Sequence, residues 1–337
     1  MRRRLLGLTC AIVLCLASSL WAADAEFHFI DVGIGDAILL VAPEGQHILI
    51  DGGDRKGFAG QEVPADIMLA YLTRHIPTKI LDLVVLTHSD MDHLGGLVKL
   101  FKTANRPGGF QVKEYWDSGY QGSGPCKITQ TYEAFLEAIQ GLPGLTVRRP
   151  VTASFPSPHD TREIGGLTLQ VLLADSTPNQ GNCAYRVNDS SVVLKVTHGA
   201  TRALLTGDIM AKARTAPASN PPEHAEGRLL NREAGSPGLL RADLLKVPHH
   251  GSETSSSDAF INAVAPRMAV VSSAVTSAYQ LPDASVIARY KQRGIQVFQT
   301  NRGPKEQDFS EPKFGNDHIV CLSTGSVQGL DCAYRSN

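Results

Sequence analysis

Four side chains that bind metals well stand close together in the first third of the sequence. They are His88, Asp90, Asp92 and His93, within residues 87–96 and directly after an apolar run. Imidazole and carboxylate groups suit a divalent first-row metal, and a loop leaving a buried strand can turn such groups toward one point. The alternative is a polar loop that caps the following helix through Asp92. Capping explains one aspartate and no histidine, so the spacing favours a metal site.

Five further motifs combine glycine with polar residues. They are DVGIGD at 31–36, IDGG at 50–53, NDSS at 188–191, LTGD at 205–208 and KVPHHGS at 246–252. The glycines at 33, 35, 52 and 53 bring loops close to a site or simply form tight turns. Asp31, Asp36 and Asp51 orient ligand histidines or cap turns. The adjacent pair His249 and His250 favours a functional role over a core role.

The segment 87–96 resembles the metal-binding signature of the metallo-β-lactamase fold superfamily, HxHxDH followed by glycine. Asp90 stands at the second histidine position, and this HxDxDH form is similar to that of ComEC-type hydrolase domains of bacterial competence DNA-uptake proteins and their free-standing relatives. Together with this segment, the other five motifs stand in family order along the chain, between about residues 26 and 300. The resemblance implies an α/β fold, an αββα sandwich with a dinuclear hydrolase site at the edges of its two sheets.

The resemblance also implies six ligands for two divalent ions, Zn²⁺ or Mn²⁺. His88 and Asp90 bind the first ion, Asp92, His93 and His249 bind the second, and Asp208 bridges both. Asn188 occupies the slot of a further family histidine, and Leu281 stands where competence-type domains tend to carry one. At both positions this chain lacks a histidine that the family pattern carries, which bears on how fully the first metal site is occupied.

The resemblance implies a hydrolytic reaction. Three carboxylates and a metal-bridging hydroxide would neutralise two divalent ions, and bound water with its pKa lowered to about 7 supplies that hydroxide near neutral pH. Asp92 and Asp208 therefore count as catalytic as well as ligating. His250, Lys246 and Ser252 stand beside His249, where they bind phosphate or protonate a leaving oxygen. Asn188 is a weak ligand or a substrate contact.

These observations favour a phosphodiesterase or nuclease. A β-lactamase-type amide hydrolase is the enzymatic alternative, although its usual HxHxDH is absent. The third hypothesis is a non-catalytic nucleic-acid-binding module with a degenerate metal site. Asn188 and Leu281 favour this hypothesis, whereas the retained set of six ligands disfavours it. The tryptophans and tyrosines show no basic–aromatic interleaving of the kind that follows a single strand.

Composition limits the remaining classes. The chain has 337 residues, 42% hydrophobic and 19% charged, which excludes a disordered or collagenous protein. Its net charge is -1, so no global positive field recruits nucleic acid, and an anionic partner must be held locally.

The first 25 residues differ from the rest, because three arginines precede an apolar stretch and small residues follow it. This pattern predicts a signal peptide over 1–25, an exported (periplasmic or secreted) hydrolase domain over 26–337, and no transmembrane channel in the chain. A membrane anchor is the alternative, but the apolar stretch is shorter than the roughly 20 residues that span a bilayer. The sequence does not predict an oligomeric state.

Four cysteines follow the leader, and none forms a CxxC pair. Export favours disulfides, and four cysteines allow three connectivities. We expect Cys321 to pair with Cys332 across a C-terminal hairpin, and Cys126 with Cys183.

Hydrophobic patterning predicts the elements that position these residues. Strands are expected at 27–32, 37–41, 47–51, 81–87, 190–197, 202–206, 243–247, 268–272 and 296–300. Helices are expected at 65–75, 94–102, 257–264 and 282–293. Two stretches resist assignment, 104–157 (apart from a helix at 128–142) and 213–238, and we expect both to be insertions on the active-site side.

Overall fold

The computed structural model describes residues 23–33, 35–56, 63–178, 181–217, 220–273, 280–300 and 317–336. The predicted leader lies almost wholly outside these residues. Within the described chain, no helix combines the length and apolar character needed to cross a membrane.

Nineteen strands are present in the described residues. Those of the first half are β1 Ala25–Phe29, β2 Ile38–Val41, β3 His47–Ile50, β4 Ile80–Leu81, β5 Leu83–Val85, β6 Gln111–Val112, β7 Glu114–Trp116, β8 Gly122–Ser123, β9 Cys126–Lys127 and β10 Thr146–Arg148. Those of the second half are β11 Thr161–Ile164, β12 Leu167–Leu173, β13 Val193–His198, β14 Thr201–Leu205, β15 Leu244–Lys246, β16 Met268–Val271, β17 Gln296–Gln299, β18 His318–Ser323 and β19 Leu330–Arg335.

The described helices are α1 Pro64–His75, α2 Met91–Phe101, α3 Gln130–Gln140, α4 Cys183–Asp189, α5 Ala225–Gly235, α6 Asp258–Val264 and α7 Ala284–Gln292. Short 3-10 turns cover Val151–Ala153 and Pro248–Gly251.

Two large sheets form the centre of the molecule. The first has eight strands in the order β10-β7-β5-β3-β2-β1-β18-β19, and the second has seven in the order β11-β12-β13-β14-β15-β16-β17. β3, β5, β7 and β10 run parallel, as do β14 to β17, while the other pairs in both sheets are antiparallel. Two-stranded ladders join β4 to β6 and β8 to β9.

Alternation along the strands divides the core into three layers, because successive side chains of a strand point to opposite faces. In β3, Ile48 and Ile50 pack between the sheets while Leu49 faces the helices. In β14, Leu205 faces the other sheet and Leu204 the helical side. Helices α1 to α3 cover the outer face of the first sheet, and α5 to α7 cover that of the second. The predicted αββα sandwich is confirmed.

The predicted strands and helices are present with shifts of a few residues at their ends. The segment 104–157, which the sequence left mostly unassigned, supplies β7 and β10 to the first sheet and α3 to its covering layer. The segment 213–238 contains α5. Both expected disulfides are confirmed, since Cys126 is bonded to Cys183 and Cys321 to Cys332.

Candidate metal centre

The candidate site forms where parallel strands end. His88 follows β5, Asp51 follows the neighbouring β3, Asp208 follows β14, and Lys246 is the last residue of β15. Carboxyl ends of adjacent parallel strands meet at one edge of a sheet, where ligands commonly bind. The two sheets therefore present their polar loops to a common cleft.

Helix α2 carries half of the HxDxDH motif. It begins at Met91, so Asp92 and His93 lie in its first turn, while Asp90 holds the N-cap position without a side-chain capping bond. The interpretation of Asp92 as an N-cap is therefore wrong. The helix packs closely against the loop after β3, where a Cβ on Gly96 would lie 1.9 Å from the Gly52 carbonyl oxygen. Only glycine permits this approach, which holds α2 against the site.

Two histidines and two carboxylates converge at the centre of the cleft. The Nε2 atom of His250 lies 3.1 Å from Asp208 Oδ2 and 3.4 Å from Asp92 Oδ2. His93 Nε2 lies 3.3 Å from the same Asp208 oxygen. Among the described residues, three-donor groups able to hold an ion are formed from His88, His93 and Asp208, from Asp92, His93 and His250, from Asp36, Asp51 and His93, and from Asp36, Asp208 and His250.

His88 shows that a cation fits this arrangement. The hydroxyl of Thr87 donates to Asp51 Oδ2 at 2.7 Å, so it can only accept from His88 Nδ1 at 3.0 Å. In the neutral ring this fixes the proton on Nδ1 and leaves a lone pair on the buried Nε2, which has no hydrogen-bond partner. That lone pair lies 3.7 Å from Asp90 Oδ2 and 3.9 Å from Asp208 Oδ2. An acceptor facing two acceptors is unfavourable unless a cation joins them.

The other two central histidines are oriented in the same way. His93 Nδ1 donates to Asp51 Oδ2 at 2.8 Å, and His250 Nδ1 donates to the Ser272 carbonyl at 2.8 Å. Both rings therefore direct Nε2 into the cleft. Such bonds fix the tautomer and ring orientation of metal-binding histidines.

Asp36 and Lys246 lie beneath this group. Lys246 is fully buried, and its ammonium lies 2.5 Å from Asp36 Oδ2 and 3.2 Å from Asp208 Oδ1. The predicted phosphate contact by Lys246 does not match this position, because its ammonium is already surrounded by carboxylates. The carboxylate of Asp31 accepts from the backbone N–H groups of Gly33 at 3.2 Å and Asp317 at 3.4 Å, and its own backbone N–H donates to His318 Nδ1 at 2.9 Å.

The adjacent histidines 249 and 250 occupy different positions, with ring centroids 6.3 Å apart. The sequence assigned the ligand role to His249, but the structure brings His250 to Asp92 and Asp208. His249 Nε2 instead lies 3.4 Å from Asn188 Nδ2, and its Nδ1 lies 2.9 Å from Thr254 Oγ1. Both residues have left-handed backbone, with φ of 50° and 52°. This tight turn presents the second ring, rather than the first, to the carboxylates.

The cleft above the donors has a volume of about 480 Å³. Of the predicted residues, Asp90, Asp92, Asn188, Asp208, His249, His250 and Ser252 line it. Asn188 Oδ1 is buried without a hydrogen-bond partner, and Ser252 Oγ lies 2.9 Å from Thr254 Oγ1. Tyr185 and Arg214 also line the cleft, and no motif in the sequence pointed to them.

Charged groups in this cluster compensate one another. Burial opposes the charged form of His250, but Asp208 and hydrogen bonds outweigh it and raise the pKa to about 10. The pKa of His93 is likewise raised, against burial, by Asp208 and Asp51. Burial lowers the pKa of His249 to about 4. The raised pKa values of His93 and His250 thus favour protonated rings, which supply positive charge where a bound metal cation would otherwise supply it.

Known proteins with sequences similar to this chain include members of one fold superfamily and competence proteins. A family model described as Metallo-beta-lactamase superfamily matches residues 30–114. The chain is 26% identical to ComE operon protein 3 of Bacillus subtilis over 88% of this chain and 34% of that protein. It is 27% identical to Competence protein ComA of Neisseria gonorrhoeae over 80% of this chain and 30% of that protein. The chain thus spans about a third of the length of these relatives.

Among solved structures, the chain is similar to the metallo-beta-lactamase fold protein YhfI from Bacillus subtilis. That match has 12% identity and a TM-score of 0.46, and it covers 81% of this chain and 95% of the other. The fold is of the metallo-hydrolase type, which implies binding of divalent metal, and the His and Asp groups described above supply ligand sets for it. The resemblance to the metallo-β-lactamase superfamily, and to competence proteins, is therefore confirmed.

Proposed function

We propose that this protein is an exported, metal-dependent phosphodiesterase that acts on nucleic acid. The observation that carries the proposal is the buried lone pair of His88 Nε2, which faces two carboxylates and has no hydrogen-bond partner. A divalent cation resolves this conflict, and a cation in a cleft is a binding site for an anionic phosphodiester.

We assign the donor groups to two ions. His88, Asp90 and Asp208 would hold the first, and Asp92, His93, His250 and Asp208 the second. When bound, such ions act as Lewis acids and lower the pKa of water to about 7. Asp90, in place of a histidine, makes the first donor set harder and admits Mn²⁺ as well as Zn²⁺.

Other residues of the chain orient the histidine rings of this centre and balance its charge. Asp51 accepts from Thr87 and His93, so one buried carboxylate orients rings on both sides of the motif. Lys246 neutralises part of the carboxylate charge from below. That neutralisation reduces repulsion of an anionic substrate, while Asn188 and Ser252 offer polar contacts along the cleft wall.

Nucleic acid is the favoured phosphodiester because the chain resembles competence DNA-uptake proteins. One of the similar relatives carries the name Competence protein ComA. A β-lactam substrate is disfavoured, since Asp90 replaces the second histidine of HxHxDH. The two disulfides support export, because such bonds persist in oxidising compartments.

The test is hydrolysis of a single-stranded oligonucleotide and of nitrocefin, a β-lactam, by protein loaded with Zn²⁺ or Mn²⁺. We expect cleavage of the oligonucleotide, its loss with EDTA, and no turnover of nitrocefin. Cleavage of nitrocefin alone would replace the proposal with the amide-hydrolase reading. Binding of the oligonucleotide without cleavage would replace it with the binding-module reading.

A further inference from the structure

We propose that Tyr185 is a substrate-positioning residue that stacks an unpaired nucleobase beside the scissile phosphodiester. This inference rests on the proposed function and adds to it the part of the substrate that is recognised. Tyr185 lies on α4 and lines the same cleft as Asp90, Asp208 and His250.

The tyrosine ring is fixed from several directions. Its hydroxyl accepts from the Arg214 backbone N–H at 3.4 Å. Its edge meets the His224 ring at a centroid distance of 5.9 Å and an interplanar angle of 89°. Gly181 lies close to one side, where an added Cβ would be 2.7 Å from the ring carbon Cδ2. A ring held in this way loses little conformational entropy when a planar ligand binds.

The helix that carries the ring is also anchored. Cys183, two residues before Tyr185, is bonded to Cys126 of β9. Arg186, the next residue, donates to the Ser123 hydroxyl of β8 at 2.9 Å. Since Asn188 and Asp189 are the only residues of α4 that are buried, these links to the β8–β9 hairpin hold the cleft wall.

The same rim carries an exposed guanidinium. Arg214 is 47% exposed, unlike the buried Lys246, and lies 3.2 Å from both Glu253 and Asp283, which orient it at the cleft and offset its charge. It is the one arginine or lysine among the described residues that line the cleft. A rigid aromatic face beside a guanidinium is the combination with which proteins bind single strands, by base stacking and backbone contact.

The experiment compares a single-stranded oligonucleotide with an abasic strand of the same length and backbone. For metal-loaded Tyr185→Ala we expect KM on the normal strand to rise about 5- to 150-fold, as for loss of one stacked base. KM on the abasic strand should change less than about twofold. Tyr185→Phe should restore KM, because it keeps the ring and loses only the hydroxyl.

Two further variants keep the test decisive. Tyr185→Leu keeps apolar volume without an aromatic face, so it should also raise KM on the normal strand and not on the abasic strand. This variant provides the test if Tyr185→Ala does not fold. Tyr334→Ala removes a partly buried tyrosine of β19 that does not line the cleft, and it should leave KM for both strands unchanged.

An equal rise of KM on both strands, or no rise on either, would overturn the stacking role while leaving the proposed hydrolysis intact. If wild-type protein cleaves neither strand, the proposed function fails separately. Dissociation constants from fluorescence anisotropy on the two strands then decide the role of Tyr185 by the same ratio.

Discussion

Two groups of histidines in this protein look alike in composition and differ in how their nitrogens are used. The group in the cleft comprises His88, His93 and His250. The second group comprises His28, His75 and His318, which line a separate pocket together with Tyr71 and Glu26. Each group packs its rings together, with centroid distances of 4.1 to 5.3 Å in the cleft and 5.5 Å between His28 and His75.

Each histidine of the second group has its own hydrogen-bond partner, and His318 Nδ1 accepts from the Asp31 backbone N–H. His28 bonds to the Tyr71 hydroxyl and to Glu26, both at 2.7 Å, and His75 Nδ1 bonds to the Tyr71 carbonyl at 2.9 Å. In the cleft, by contrast, one nitrogen of each ring is fixed and the other faces carboxylates at 3.1 to 4.0 Å. Convergence of oriented Nε2 atoms on carboxylates, rather than the number of histidines, marks the candidate centre.

The largest expected effect of a single substitution is that of Asp208→Ala, because this carboxylate contacts both halves of the donor set. We expect metal-dependent phosphodiester hydrolysis to fall about 1,000-fold, more than in Asn188→Ala. The measurement is kcat/KM on a metal-loaded oligonucleotide substrate. His75→Gln is the control from the second group and should keep turnover while losing about 0.5–1.5 kcal/mol of unfolding free energy. Equal loss in both variants would erase the distinction between the groups.

A second pair of variants separates the adjacent histidines. His250→Ala should lower metal affinity about 100-fold, because its Nε2 faces Asp92 and Asp208. His249→Ala should lower it less than about tenfold, since its Nε2 already meets Asn188. Titration with Zn²⁺ by calorimetry measures both. The opposite ranking would restore the predicted ligand role of His249.

Asp90→Ala tests whether the first ion has its own donors. The side chain is 44% exposed and lies 3.7 Å from His88. We expect one ion to be lost, or held about tenfold more weakly, with the fold intact. Metal content and the thermal unfolding midpoint are the readouts. Unchanged stoichiometry would remove Asp90 from the ligand set.

Metal affinity should also depend on pH. In the metal-free protein, Asp208 and its neighbours keep the pKa of His250 at about 10, despite burial, so this ring is protonated at pH 7. A metal must displace that proton, so affinity rises with pH by about tenfold per unit for each proton released. Calorimetry in buffers of different ionisation enthalpy counts the protons. Affinity independent of pH between 6 and 8 would contradict the assignment of His250 as ligand.

Much of the sandwich and the position of the site could be predicted from the sequence. Short apolar runs bounded by turns identified β3 and β14, and HxDxDH identified the end of β5. The sequence could not predict which of His249 and His250 is the ligand. A left-handed turn determines which of the two rings faces Asp208. The sequence predicted Lys246 as a phosphate contact, because the burial of its ammonium against Asp36 can be seen only in the structure. Tyr185 and Arg214 are far apart in sequence, and only the packing of α4 brings them to one rim.

The measurement that tests the central claim most directly is the metal content of purified protein after equilibration with Zn²⁺ or Mn²⁺ and removal of free ion. Mass-spectrometric metal analysis should find two ions per chain in the wild type and in His75→Gln, and at most one in His250→Ala. Wild-type protein without stoichiometric metal, or His250→Ala with the wild-type content, would contradict the account.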